Sequence, residues 1–189
     1  MDANNTSVPG GEFPGALAAR YNEMVTAFFE CIHGPSEGGH PYWNLLASAQ
    51  DNPRMTTFDT AGGPVQFDLF FHHRPSGENE PHRFLVVETK ASSDRPYVQR
   101  EFPRFLRRSL AVRERLGNTP GESYDFVYVA PVAPDGREEL APYHDSGALS
   151  LAFRELCQME LTPEQNDLIR GRIAVLVLAD ETASLLGVT

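Results

Sequence analysis

The chain has 189 residues, 41% of them hydrophobic, and a formal net charge of −10. That length and apolar content suit one domain with a substantial core. No apolar run approaches the roughly 18 residues of a membrane-spanning helix, and the acidic balance excludes a chain coated in nucleic-acid-binding surface.

Residues 1–12 are polar, lead into no signal-peptide hydrophobic stretch, and read as a disordered lead-in to a single domain over 13–189. Apolar residues at 17, 21, 24, 25, 28, 29 and 32 recur at helical spacing. They predict a helix with one apolar stripe, with Glu23 and Glu30 on the opposite side. Residues 41–50 read as a short second helix anchored by Trp43, Leu45 and Leu46, and 55–58 as a short strand. A longer strand is expected over 65–71, with Asp68 set among large apolar residues. Residues 73–81 are polar, contain Gly77, and predict a hairpin loop flanked by His72, His73 and His82. The strand that follows, 84–89, is apolar until it ends in Glu88, Thr89 and Lys90.

Glu88 and Lys90 are two positions apart, so they share a face of the strand and Thr89 points away. A hairpin folded midway between Asp68 and Glu88, at position 78, sets these two carboxylates opposite each other. Opposed side chains on one face have Cβ atoms roughly 4.5–5.5 Å apart. Two carboxylates so close repel, and one is driven towards protonation unless a cation sits between them. Oxygen ligands from Asp and Glu suit magnesium or manganese. Lys90 is also the only lysine among 16 basic residues; the rest are arginine. A chain that uses Arg wherever either cation serves has kept Lys, a compact point charge, at this position.

Ser92, Ser93, Asp94 and Pro96 predict the start of a helix that runs to about residue 116. Its buried stripe is Val98, Phe102, Phe105, Leu106, Val112 and Leu116, with a kink or restart expected at Pro103. Arg100, Arg104, Arg107 and Arg108 fall on the other face, where they suit phosphate contact. Residues 95–115 hold seven arginines against Glu101 and Glu114, one basic stretch on an acidic body. A strand follows at 124–130, then two helical pieces within 137–160, a capping box at Thr162 to Gln165 opening a short helix, and a last buried strand at 173–178. Cys31 and Cys157 lie far apart with no motif spacing and are expected as buried thiols in a reducing cytoplasm.

Asp68 followed by Glu88-Thr89-Lys90 at the end of an apolar strand resembles the PD-(D/E)xK nuclease superfamily, the restriction-endonuclease-like fold. The likeness covers about residues 15–132 and extends to the order of elements: helix, three strands, helix, strand. Phe67 stands where the motif's proline would be. The resemblance implies an α/β fold with a central mixed β-sheet flanked by helices, an αβββαβ core. It implies phosphodiester hydrolysis with Mg²⁺ or Mn²⁺ held by Asp68, Glu88 and the backbone carbonyl of Thr89, and Glu23 or Glu30 as a further ligand from the first helix. Lys90 is the implied catalytic cation, and Gln99 an implied substrate contact. The implied substrate is nucleic acid, DNA ahead of RNA. A protein partner or a homo-oligomer fits a small nuclease with no evident specificity domain. The alternative is a non-catalytic subunit of the same fold that binds protein or nucleic acid.

Overall fold

Glu88 lies one residue from the end of a strand that is buried on both faces, because helices cover the sheet on either side. The computed structural model describes residues 14–31, 43–73, 80–117, 119–132, 140–143 and 148–179. The expected lead-in and the tip of the hairpin loop lie outside them. In chain order the elements are α1 (Pro14–Cys31), β1 (Trp43–Ser48), β2 (Thr57–Thr60), β3 (Gly63–Gln66), β4 (Leu69–His73), β5 (His82–Thr89), α2 (Arg95–Leu116), β6 (Glu122–Pro131), α3 (Ala148–Cys157), α4 (Pro163–Ile169) and β7 (Ile173–Leu178).

Five strands form a mixed sheet in the order β1-β4-β5-β6-β7. β1, β4 and β5 pair antiparallel, as a hairpin connection allows. β6 and β7 add in parallel, each reached by a helical crossover. The period of two sorts the side chains. Leu69, Phe71, Leu85, Val87 and Val129 meet Met24, Val25 and Phe29 of α1 on one face. Phe70, Val86, Phe126 and Tyr128 meet Phe102, Phe105 and Leu106 of α2 and Phe153 of α3 on the other. The fold is thus α/β, a central mixed sheet flanked by helices, as expected. Among the described residues no helix is long and apolar enough to cross a membrane.

Several expectations need correction. Residues 43–48 form a strand rather than a helix. Trp43, Leu45 and Leu46 fit either period, and pairing with β4 decides between them; a bulge between Leu45 and Ala47 leaves Leu46 40% exposed. The strand expected at 55–58 lies at 57–60 and belongs to a separate two-stranded hairpin, β2–β3. Gly63 closes that hairpin at φ +107°, which disfavours any side chain. With the hairpin set aside, the sheet retains the expected order of helix, three strands, helix and strand, its first strand being β1. The single strand expected over 65–71 is broken at Phe67 and Asp68. α2 runs unbroken for 22 residues through Pro103. Cys31 is exposed, whereas Cys157 is buried as expected. The capping box at Thr162 and the last strand lie where the sequence puts them.

Candidate active site

The break at Phe67 and Asp68 determines how the first carboxylate is presented. Regular alternation would put positions 68 and 70 on one face and 67 and 69 on the other. Instead Phe67 and Phe70 both pack in the α2-side core, while Leu69 packs on the α1 side. The phase slips between 67 and 69. The register of β4 on β5, Leu69 against Val87, would continue to Asp68 against Glu88. The Asp68 N–H donates to the Val87 carbonyl at 3.0 Å, one residue out of that ladder. The Asp68 side chain therefore turns towards Thr89. Its Oδ2 accepts from the Thr89 N–H at 2.7 Å and from the Thr89 hydroxyl at 3.1 Å. The same hydroxyl contacts the side-chain amide of Asn22 on α1.

Glu88 comes to the site from the α2 side. It is 5% exposed, and both its oxygens are taken: Oε1 lies 2.6 Å from Lys90 Nζ, Oε2 2.5 Å from an Arg108 nitrogen. Burial raises its pKa above the ordinary carboxylate value, and the charge of Asp68 raises it further. Lys90 and Arg108 pull in the opposite direction. The influence of Asp68 shows that the two carboxylates feel each other although they are held by different partners. The Arg108 guanidinium lies over the Phe67 ring, 4.8 Å from its centroid.

A cavity of about 500 Å³ opens at this end of the sheet. Asp68, Thr89 and Lys90 line it, with Asn22 and Tyr21 from α1 and Tyr97 from α2. The N-terminus of α2 is formed as the sequence suggests, with Asp94 at the cap position and Pro among the first helical residues. The Asp94 carboxylate accepts from Ser92 rather than capping the helix with its side chain.

The other expected site residues are dispersed. Glu23 is exposed, and neither Glu23 nor Glu30 lines the cavity; α1 supplies Asn22 instead. Asn22 borders the apolar stripe beside Val25 and Phe29 on a helical wheel, whereas Glu23 and Glu30 lie about 100° further round. A polar residue at the edge of a buried stripe was the available signal. The arginine row divides. Arg108 turns inward to Glu88, and Arg107 donates to the Cys157 carbonyl at 3.1 Å, tying α2 to the end of α3. Arg100 and Arg104 remain exposed around Glu101, at 2.7 and 3.4 Å. Gln99 is exposed as well. His72 and His82 lie within β4 and β5, flanking the loop as expected. Their ring nitrogens lie 2.9 Å apart at the far end of β4 and β5.

Among the described residues, no three His, Cys, Asp or Glu side chains gather into a metal cluster. The site offers two carboxylates and a carbonyl. Val87 accepts from Asp68 on the β4 side, and carbonyls alternate along a strand, so the Thr89 carbonyl faces the same side just beyond. An all-oxygen set of this kind fits magnesium, which binds through one or two carboxylates and keeps several waters or substrate oxygens. Comparison with protein-family models, with curated proteins and with solved structures finds no match for this chain.

Proposed function

We propose that this protein is a metal-dependent nuclease of the PD-(D/E)xK kind that hydrolyses phosphodiester bonds. The observation that carries the reading is the meeting of Asp68 and Glu88 at the adjoining ends of β4 and β5, with the chain's only lysine 2.6 Å from Glu88 and on the cavity wall. Asp68, Glu88 and the Thr89 carbonyl would hold Mg²⁺ or Mn²⁺. Such an ion lowers the pKa of a coordinated water and offsets charge on the scissile phosphate. Lys90 leaves Glu88 for the reacting phosphate and stabilises the negative charge that builds in the transition state. Water oxygen bonds to phosphorus as the bond to the leaving sugar oxygen breaks. Thr89 holds Asp68 in place with two hydrogen bonds. Arg100 and Arg104 position the backbone and carry no sequence information. DNA is the assigned substrate, following the resemblance, and the cytoplasm the assigned compartment.

One observation favours a second reading, a non-catalytic subunit of the same fold that binds nucleic acid or protein: both Glu88 oxygens are occupied by cations. Cleavage of supercoiled plasmid, linear single-stranded DNA and RNA separates the two. Each is tested with magnesium, with manganese and with EDTA, for wild type beside Lys90→Ala. Cutting that needs metal and is lost in the variant supports the nuclease. No cutting of any substrate, or equal cutting by a folded Lys90→Ala protein, refutes it and leaves the binding module.

A further inference from the structure

Glu88 has two cations where one would neutralise it. Lys90 belongs to the motif; Arg108, from the fourth turn of α2, does not. The guanidinium of Arg108 reaches Glu88 across the Phe67 ring. Its Nε is buried and has no hydrogen-bond partner. Guanidinium is a fork of five donors, and an unmatched buried donor is unfavourable. Glu88 therefore satisfies this group incompletely. The side chain is nevertheless 25% exposed, so an anion outside can reach it. Neither Glu88 nor Arg108 is among the residues lining the cavity, whereas Asp68 and Lys90 are.

The charges are balanced as they stand. Asp68 and Glu88 cancel Lys90 and Arg108. A divalent cation held by both carboxylates would leave two positive charges in excess, and Lys90 and Arg108 would oppose it at the Glu88 oxygens they contact. A phosphodiester offsets that excess and offers the guanidinium a better-matched partner, since planar, bidentate recognition of phosphate is what Arg favours.

We infer that Arg108 is a latch on Glu88: a positioning residue that occupies the carboxylate oxygen a divalent cation needs, and that the phosphate of a bound nucleic acid draws away. This inference rests on the nuclease reading. Its consequence is that the cation binds weakly to the free protein and tightly beside nucleic acid, and the coupling is reciprocal. The protein then assembles a complete site only on its substrate.

The test is Mn²⁺ binding, followed by the electron paramagnetic resonance of the free ion, on the alkaline side of neutrality because the Glu88 pKa is raised. Wild type, Arg108→Met and Asp68→Asn are compared with and without a phosphorothioate duplex that resists cleavage. Without the duplex, Arg108→Met binds Mn²⁺ about tenfold more tightly than wild type, a difference of about 1.4 kcal/mol. The duplex tightens Mn²⁺ binding about tenfold in wild type and less than about threefold in Arg108→Met. Loss of the Arg108 charge alone would also tighten Mn²⁺ binding, so the reduced effect of the duplex is the reading that identifies the latch; a merely structural Arg108 would leave the duplex effect as in wild type. If Arg108→Met does not fold, Arg108→Gln, which keeps a neutral donor for Glu88, is held to the same standard. Mn²⁺ binding that Asp68→Asn abolishes, with no gain in the Arg108 variant, overturns the latch alone. No Asp68-dependent Mn²⁺ binding in any of the proteins overturns the latch and the nuclease reading together.

Discussion

Replacing Lys90 with Met separates two roles that its contact with Glu88 combines. The thioether keeps the packing of the stem and removes the ammonium. The pair is largely buried, with side chains 14% and 6% exposed and 2.6 Å between the charged atoms. Breaking a buried pair typically costs about 3–5 kcal/mol because it strands the other charge. Glu88 is not stranded here, since Arg108 stays 2.5 Å away, so about 1–2 kcal/mol is expected. For a domain of this size that lowers Tm by about 2–8 °C, and the variant remains folded. The effect on rate is larger. A group that stabilises charge only in the transition state contributes about 10²–10³ in kcat. Lys90 also holds down the pKa of Glu88, which burial and Asp68 have already raised. Without Lys90 that pKa rises further, and a carboxyl with a raised pKa loses its charge as pH falls through it. Lys90→Met should therefore show two components in Mn²⁺-saturated single-turnover cleavage. One is a loss of about 10²–10³ that persists at every pH; the other is an additional loss that grows as pH falls and disappears on raising the pH. A folded variant within about threefold of wild type throughout refutes the catalytic role. Full recovery at the higher pH leaves Lys90 with no function except to keep Glu88 ionised.

Asp68→Asn should abolish metal-dependent cleavage and lower the Glu88 pKa, because the charge of Asp68 is the second cause of its rise; carboxyl carbon NMR reads the titration directly. If Glu88 holds the cation as proposed, proton and cation compete for it, and Mn²⁺ affinity should weaken as pH falls through the raised pKa. Arg104→Ala should weaken DNA binding and reduce the slope of log affinity against log salt by about 1. Arg107→Ala should leave that slope alone and cost about 1 kcal/mol in urea unfolding, since its guanidinium serves the Cys157 carbonyl. Thr162→Ala removes the N-cap acceptor of α4 and should cost about 1 kcal/mol with no change in cleavage.

Much of the fold was legible because its signals are periodic and local. The stripe of α2, the run of β5 and β7 and the capping box of α4 all follow from nearest neighbours in sequence. Three features were not legible for one physical reason: each is decided by a partner distant in the chain. Residues 43–48 are a strand because β4 offers an edge to pair with. Residues 57–60 leave the main sheet because 63–66 follow after a tight turn. Arg107 and Arg108 are adjacent and look alike in sequence, yet α3 claims one and Glu88 the other. In the site, Asp68, Glu88 and Lys90 came from spacing alone. Asn22 did not, because an acidic residue was the expected contribution of α1 and an amide is what reaches Thr89.

The slip at Phe67 gives the site its shape. Had β4 continued regularly, Asp68 would lie on the same face as Glu88, pressed against it in the ladder, and both would face α2. The slip puts Phe67 into the α2-side core, where it carries the Arg108 guanidinium, and gives Asp68 to Thr89 and Asn22. Each carboxylate thus has its own donors. β5 is also the strand at which the sheet changes from antiparallel to parallel pairing. At its C-terminal end β4 begins and β5 gives way to the segment leading into α2, so the chain parts there and leaves a cavity. Ligands in open α/β sheets bind outside the carboxyl ends of strands where the topology changes. That placement sets the charged end of β5 beside the cavity and the stacked His72, His82 and Phe84 at the other end.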